Sequence, residues 1–212
     1  MIDHTLLRPD AARNQIRRLC SEAMEYRFHA VCVNPLHVSF CRDMLEGSGV
    51  NICTVAGFPL GASISKVKAL EAETAESQGA NEIDMVINIG ALKDSNLALV
   101  ADDIAAVVKA TSPEITTKVI IETCYLNDDE KTAACKIAVN AGADFVKTST
   151  GFGPRGATVE DVALIRRIVG NKFGVKAAGG IRDYETLIKM IEAGANRIGT
   201  SASALIMNSL RS

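Results

Sequence analysis

Short apolar runs alternate with helix-like stretches along the whole chain. Eight of these runs are rich in β-branched residues and too apolar to leave one face in water; they cover positions 2–5, 30–34, 52–56, 83–88, 119–122, 145–148, 174–177 and 197–199. Runs of this kind are typical of parallel strands that are covered on both faces. Positions 63–79 place Ile64, Val67 and Leu70 on one face at helical spacing, which predicts an amphipathic helix between two of the strands.

Eight strand–helix units in 212 residues predict an α/β protein with one (β/α)8 TIM barrel over residues 1–212. Gly-Ala pairs at 79–80, 142–143 and 194–195 end predicted helices, where glycine fits a left-handed C-cap position. The alternative is a doubly wound open sheet. That fold usually has fewer units and more often carries GxGxxG after its first strand, whereas TLLRP stands there in this chain.

The composition argues against several classes of partner. The 23 basic and 25 acidic residues give a net charge of −2 and are interspersed, so we expect neither nucleic acid nor an acidic membrane as a partner. No apolar run approaches the roughly 18 to 20 residues of a membrane helix. The N-terminal stretch MIDHTLLRPD lacks the basic and then apolar pattern of a secretory signal, and we expect a cytoplasmic protein.

The cysteines and histidines show no metal-binding pattern. The six cysteines form no CxxC pair, the three histidines do not cluster, and HExxH, HxxE and DxD are missing. These spacings argue against a disulfide framework and against a zinc site. We expect a reaction centre that uses no metal and no cofactor.

Lys147 is the most unusual residue of the pattern. It stands in DFVKTSTG at 144–151, inside the sixth predicted strand. A lysine in a buried strand is rare, and its charge is costly unless it is paired or functional. Barrel active sites lie where strands end and loops begin. Lys147 is therefore our candidate covalent nucleophile, and the structural alternative is a lysine paired with a neighbouring carboxylate.

Lys176 lies at equivalent depth in the seventh strand, within GVKAAGGIR at 174–182. Strands six and seven are neighbours in a barrel, so the two ammonium groups would lie close together. This arrangement is destabilising, and it lowers the pKa of one amine. A neutral Lys147 could then attack a carbonyl and form an iminium, which is a strong electron sink.

Three further charged residues occupy predicted strands. Asp84, in NEIDMVIN, can hold one lysine protonated and pass protons through a water, or it can be a simple counter-ion. Lys118 and Glu122 share a face of the fifth strand by period-two alternation. We interpret that pair as a structural ion pair below the reaction centre, with tuning of the centre as the alternative.

The last two loops resemble a phosphate cradle. The pair Gly179-Gly180 allows backbone N–H groups to approach a ligand closely. The segment GTSA at 199–202 opens the final predicted helix, and barrels often bind phosphate after strands seven and eight. Thr150 and Gly151 could form a third edge. We therefore expect a ligand that carries a phosphate group.

The chain resembles the deoxyribose-phosphate aldolase family of short bacterial type over nearly its whole length. The resemblance is carried by IDHTLL at 2–7, VCVNP at 31–35, VAGFPLG at 55–61, NEIDMVINIGALK at 81–93, KVIIET at 118–123, FVKTSTGF at 145–152, GVKAAGGIR at 174–182 and RIGTSAS at 197–203. The combination of VKTSTGF with VKAAGGIR is highly specific. The family cleaves 2-deoxy-D-ribose 5-phosphate reversibly to D-glyceraldehyde 3-phosphate and acetaldehyde, serves deoxynucleoside breakdown, needs no metal and is commonly dimeric.

The resemblance implies a role for each matching residue. Lys147 matches the Schiff-base lysine, Lys176 the second lysine, and Asp84 the acidic residue that works with Lys176 and a water in proton transfer. The positions that match the substrate pocket are Thr5, Cys32, Thr150, Gly151, Gly179, Gly180, Gly199 and Ser201. The resemblance also implies a homodimer.

The chain departs from the family pattern at two places. Ala202 stands where the family often has a second serine, so one hydroxyl ligand to phosphate is lost, although a backbone N–H could replace it. The chain also ends at 210–212 without the C-terminal tyrosine of some longer relatives. Two rivals stay open: another Schiff-base phosphosugar aldolase on the same barrel, and a non-catalytic barrel that binds a sugar phosphate.

Overall fold

A computed structural model describes residues 1–210. Arg211 and Ser212, which end the expected domain and carry the end of the chain without a tyrosine tail, lie outside the described residues. The eight strands are parallel and close into a barrel in chain order. They are β1 (Ile2–Leu6), β2 (Ala30–Val33), β3 (Asn51–Ala56), β4 (Glu82–Val86), β5 (Thr116–Ile120), β6 (Phe145–Lys147), β7 (Gly174–Ala178) and β8 (Arg197–Thr200).

The helices lie between the strands, as the alternation of the sequence predicts. They are α1 (Arg13–Glu25), α2 (Val38–Leu45), α3 (Ser65–Gln78), α4 (Ile89–Lys93), α5 (Leu97–Ala110), α6 (Asp128–Asn140), α7 (Val159–Val169), α8 (Tyr184–Glu192) and α9 (Ser203–Ser209). Gly79, Gly142 and Gly194 have positive φ angles of 111°, 86° and 113°, which confirms their predicted place at helix ends. The predicted (β/α)8 barrel is thus confirmed, and the open sheet is wrong.

The protein has two separate interior regions. The large apolar core lies between the strands and the surrounding helices. Inside the barrel, a small apolar group of Leu7, Ala30, Cys32, Cys53 and Val55 fills one side. The other side holds buried charged side chains, described below. Within residues 1–210, no helix is both long enough and apolar enough to cross a membrane.

The apolar face predicted for α3 does not face the core. Ile64, Val67 and Leu70 are 70%, 41% and 59% exposed, and the helix buries Lys68 with small alanines instead. The Nζ of Lys68 lies 2.5 Å from the Oδ2 of Asp103 on α5 and donates to the backbone oxygen of the last residue of β4. The ion pair with Asp103 neutralises the charge of Lys68. A lysine can therefore be buried on the face of α3 that packs against the core, where the hydrophobic pattern predicts apolar residues.

The fifth strand also differs from its prediction. It covers Thr116–Ile120 and not positions 119–122, so Glu122 lies beyond its end with a left-handed backbone at φ 53°. The polar residues Thr117 and Lys118 are buried within this strand. A search for apolar runs therefore placed the strand too late in the chain.

Candidate active site

The register of the barrel places Lys147 and Lys176 side by side. The two residues are directly paired across β6 and β7, and both side chains point into the barrel. Lys147 is 2% exposed and Lys176 is fully buried. The expected juxtaposition of the two lysines is therefore present.

The carboxylate of Asp84 joins these lysines. Its Oδ2 accepts hydrogen bonds from the Nζ of Lys147 and the Nζ of Lys176, both at 2.7 Å. Its Oδ1 accepts from the Nζ of Lys118 at 2.9 Å and from the Sγ of Cys53 at 3.2 Å. Three lysines thus share one buried carboxylate, which can exchange a proton with either Lys147 or Lys176.

The protonation of this centre follows from its charges. Burial raises the pKa of the Asp84 carboxyl, but the cations of the three lysines outweigh burial and hold that pKa well below its usual range. Burial lowers the pKa of Lys176, and here Asp3 and Asp84 outweigh it, so that this pKa lies well above its usual value. Asp84 is accordingly a carboxylate and Lys176 an ammonium group at neutral pH.

The same network includes residues that the sequence did not single out. The Oδ2 of Asp3 lies 2.5 Å from the Nζ of Lys176, and its Oδ1 lies 3.0 Å from Arg197. Arg197 also pairs with Glu82, which in turn pairs with Lys118 at 2.6 Å. We call this group the charge cluster; its members are Asp3, Glu82, Asp84, Lys118, Lys147, Lys176 and Arg197.

A signal for the missed members was present in the sequence. Glu82 stands two residues before Asp84, hence on the same face of β4. Asp3 and Arg197 are also charges inside buried strands, the same feature that drew attention to Lys147. The charge cluster thus contains three acidic and four basic side chains.

A cavity of about 320 Å³ opens above the charge cluster, at the carboxyl ends of the strands. Among the cluster's lysines, Lys147 lines this cavity, whereas Lys118 and Lys176 are fully buried. The pocket positions expected from the sequence that line it are Thr5, Thr150, Gly151, Gly179, Gly180, Gly199 and Ser201. Lys147 can thus contact a molecule that enters the cavity.

Cys32 is the expected pocket residue that does not line the cavity. It is fully buried and paired in register with Cys53 across β2 and β3, below the cavity floor. Arg8 and Arg182 line the cavity although the sequence did not single them out. Arg8 stands two residues after β1 and Arg182 four residues after β7, in loops where a cation can face a bound anion.

Part of the cavity wall consists of backbone. Gly179 and Gly180 both have left-handed φ angles, 86° and 80°, which glycine adopts at little cost. Within residues 1–210, the N–H groups of Gly151, Gly179 and Gly180 donate to no protein acceptor. Their donors are therefore free to bind an anion.

Ala202 lies outside this wall. It does not line the cavity, and its backbone N–H donates to the hydroxyl of Thr200 at 3.0 Å. The N–H of Ala202 is therefore already bonded, and the expectation that a backbone N–H replaces the missing hydroxyl stays a prediction for the other N–H groups of the wall. Thr200 and Ser201 both line the cavity, and the Thr200 hydroxyl already donates to the backbone oxygen of Ile181.

The proposed pair of Lys118 and Glu122 is also wrong. Lys118 bonds to Glu82 and Asp84 inside the barrel. Glu122, beyond the end of β5, accepts hydrogen bonds from Thr150. The alternation argument failed because the strand ends before Glu122.

Two groups of potential metal ligands exist among the described residues. One consists of Cys32, Cys53 and Asp84, and the other of Asp3, Cys53 and Glu82. Their carboxylates already pair with the lysines and the arginine of the charge cluster. A metal ion would have to displace these cations or lie beside them, which Coulomb repulsion disfavours.

The closed barrel and the lysine-lined cavity define an enzyme of the (β/α)8 class, with a reaction centre at the carboxyl ends of its strands. The chain belongs to the DeoC/LacD family of aldolases, because the model of that family matches residues 1–206. It is therefore an aldolase, a carbon–carbon lyase.

Several relatives support this assignment. A protein of Macrococcus caseolyticus named deoxyribose-phosphate aldolase is 59% identical over 206 residues, which cover 97% of this chain and 93% of the relative. One of Coprothermobacter proteolyticus with the same name is 59% identical over 211 residues, covering 100% of this chain and 96% of the relative. Among solved structures, the deoxyribose-phosphate aldolase of Aeropyrum pernix, described as tetrameric, matches with a TM-score of 0.92 and 34% identity, and the match covers 100% of this chain and 89% of that one.

Proposed function

We propose that this aldolase cleaves 2-deoxy-D-ribose 5-phosphate reversibly to D-glyceraldehyde 3-phosphate and acetaldehyde, through a Schiff base on Lys147, in deoxynucleoside catabolism. The observation that carries the proposal is the position of Lys147, which lines the cavity and donates to the buried carboxylate of Asp84. The names of the curated relatives support the choice of substrate.

Lys147 is the proposed nucleophile. Its amine adds to the aldehyde carbon of the open-chain sugar, and loss of water gives an iminium. The neighbouring hydroxyl at C3 then loses its proton, the C2–C3 bond breaks, and its electron pair enters an enamine as glyceraldehyde 3-phosphate leaves. Protonation of the enamine carbon and hydrolysis release acetaldehyde and the free lysine.

Asp84 and Lys176 are the proposed proton carriers. Asp84 accepts from both amines on a single oxygen, at 2.7 Å each, so a proton can pass between Lys147 and Lys176 across this carboxylate. The low pKa of Asp84 and the high pKa of Lys176 keep the first a carboxylate and the second an ammonium group at neutral pH, so that Asp84 accepts and Lys176 donates the hydrogen bond between them. Together with water, they would move the protons of carbinolamine collapse and enamine protonation.

The phosphate would lie against the glycine wall. The free N–H groups of Gly151, Gly179 and Gly180 and the hydroxyl of Ser201 line one part of the cavity. Arg182 adds a positive charge there. Binding the phosphate away from the reacting bond would orient the sugar for attack by Lys147.

Trapping with borohydride tests the covalent step. Treatment with acetaldehyde and borohydride should add a stable mass to the peptide that contains Lys147, and Lys147→Leu should remove both the adduct and turnover while the fold survives. An adduct on Lys176 alone would overturn the assignment. A trap with other donors but not with acetaldehyde would indicate a different Schiff-base aldolase.

The proposed reaction needs no metal, because the iminium serves as the electron sink. Incubation with EDTA followed by removal of the chelator should leave kcat unchanged. Loss of activity that Zn²⁺ or Mg²⁺ restores would contradict the proposal.

We also propose that the chain forms a homodimer. The stripe of Leu60, Ile64, Val67 and Leu70 is 41% to 73% exposed, and exposed apolar patches often mark protein interfaces. Sedimentation should show a dimer, and Leu70→Lys should shift it towards the monomer. An unchanged dimer in Leu70→Lys would place the interface elsewhere.

A further inference from the structure

Glu122 is a buried carboxylate that the proposed reaction does not use. Its residue is 1% exposed, and it directly follows the end of the β5 ladder. Its backbone has φ 53° and ψ 67°, a left-handed conformation that is unfavourable for a residue with a side chain. Such strain persists only where the surrounding contacts compensate for it.

Two hydrogen bonds to the Glu122 carboxylate come from the loop after β6, and the Sγ of Cys124 donates a third to its Oε1 at 3.7 Å. The Oε2 of Glu122 accepts a hydrogen bond from the N–H of Thr150 at 3.2 Å and a second from the Thr150 hydroxyl. The same hydroxyl oxygen accepts the N–H of Phe152 at 3.0 Å. Glu122 therefore fixes Thr150 directly and Phe152 through Thr150.

The loop is also packed tightly on this carboxylate. A Cβ added to Gly153 would lie 3.3 Å from the carboxyl carbon of Glu122 and 2.9 Å from the Sγ of Cys124. The carboxylate thus lies directly beneath the loop. It does not line the cavity, whereas Thr150, Gly151 and Phe152 do.

The far side of the loop meets a second loop. The ring of Phe152 contacts the ring of Phe58, which follows β3, edge to face with centroids 5.3 Å apart at 89°. Phe152 is held by its backbone bond on one side and by this aromatic contact on the other. A shift of Thr150 would consequently move one wall of the cavity.

We propose that Glu122 is a positioning residue that holds loop 150–153 against the substrate and thereby sets the affinity for the phosphorylated sugar. This inference rests on the proposed function. Glu122 acts through Thr150 and touches no reacting atom. Acetaldehyde has no phosphate, and its Schiff base needs Lys147 and the proton carriers Asp84 and Lys176, so it forms independently of the loop.

The test compares Glu122→Ala with Glu122→Gln. Alanine removes both side-chain acceptors without the backbone freedom that glycine would add, whereas the amide oxygen of glutamine can still accept from Thr150. We expect Glu122→Ala to raise the KM for deoxyribose 5-phosphate about tenfold or more, with acetaldehyde trapping within about twofold of wild type. Glu122→Gln should restore the KM to within about threefold.

Thr123→Val is the matched control. Thr123 is the next residue, equally buried, and its hydroxyl has no partner within residues 1–210, while its N–H bonds to the oxygen of Thr148. Thr123→Val should therefore leave the KM unchanged. An equal rise of KM in Thr123→Val would overturn the inference, and so would a KM in Glu122→Ala that stays at the wild-type value.

Amide hydrogen exchange supplies a readout that does not depend on activity. The amides of Thr150 and Phe152 should exchange at least about tenfold faster in Glu122→Ala, and the amide of Thr123 should not. Unchanged exchange at Thr150 and Phe152 would show that Glu122 does not hold the loop. Failure of wild-type trapping would instead reject the proposed function, and the exchange rates would still decide the role of Glu122.

Discussion

The residues at the phosphate wall differ in what they can offer a ligand. Ser201 lines the cavity, whereas its neighbour Ala202 does not, and the N–H of Ala202 is already bonded to Thr200. Ser201→Ala should raise the KM for the sugar phosphate about tenfold or more, because a hydrogen bond to a charged group contributes about 1.5–3 kcal/mol. Ala202→Ser should change the KM by less than about twofold. Initial rates measured against substrate concentration check both, and a large decrease of KM in Ala202→Ser would contradict the placement of residue 202.

Gly199 is required for a different reason, namely space. A Cβ at this position would lie 3.0 Å from the Cε of Lys176 and 3.2 Å from the Cβ of Ala178. Gly199→Ala should shift Lys176 by a few tenths of an ångström relative to Asp84 and lower kcat several-fold, since a displacement of about 1 Å at a reacting group can cost 100-fold. The control is Gly90→Ala on α4, where the nearest atom is 3.6 Å away. If both variants keep the wild-type kcat, Lys176 does not need its present position.

At the scale of elements, α3 provides a test in which the structure and the hydrophobic pattern disagree. Lys68→Ala should destabilise the protein by about 3–5 kcal/mol, because it leaves Asp103 buried without its cation. Leu70→Ala should cost less than about 1 kcal/mol, since Leu70 is 59% exposed. Urea unfolding gives both values. In an oligomer, the comparison must be made at a concentration where both variants have the same assembly state. The opposite order would mean that Leu70, and not Lys68, faces the core.

The strands and α3 together show which features a sequence can predict. The eight strands were recognised because strands covered on both faces are continuously apolar. The predicted position of the fifth strand is too late in the chain because Thr117 and Lys118 are buried polar residues, which do not belong to an apolar run. Lys68 and Asp103 are 35 positions apart, and no local pattern indicates that they pair.

The reaction centre was predictable to a similar degree. Lys147 and Lys176 could be placed side by side because consecutive strands of a barrel are neighbours. Asp3 and Arg197 could not be joined in the same way, since their ion pair spans 194 positions and depends on closure between β1 and β8. The pairing predicted for Glu122 is wrong because β5 ends at Ile120 and the backbone of Glu122 is left-handed.

At the scale of the whole molecule, the charge cluster links β1, β4, β5, β6, β7 and β8 through the inside of the barrel. Burial raises the pKa of the Glu82 carboxyl, but a hydrogen bond from His29 and the charges of Lys118 and Arg197 outweigh it, so this pKa lies below its usual value. The pKa of Asp84 is lowered too. A carboxyl with a lowered pKa in the folded state stabilises the protein above its ordinary pKa, and that contribution is lost as the pH falls towards the folded value.

The free energy of unfolding should therefore fall as the pH drops below about 4.5, the region in which unfolded carboxyl groups take up protons. Glu82→Gln supplies the matched comparison. At pH 7 it should be less stable than wild type by about 3–5 kcal/mol, because Lys118 and Arg197 lose a buried partner. On acidification the difference should shrink, because the Glu82 carboxyl of the unfolded wild-type chain takes up a proton while folded Glu82 stays ionised. Urea unfolding from pH 7 to pH 3 measures the free energy of unfolding of both proteins. Two curves that stay parallel would show that Glu82 is not the source of the acid sensitivity. Curves that converge would show that the charges inside the barrel help to hold its strands together.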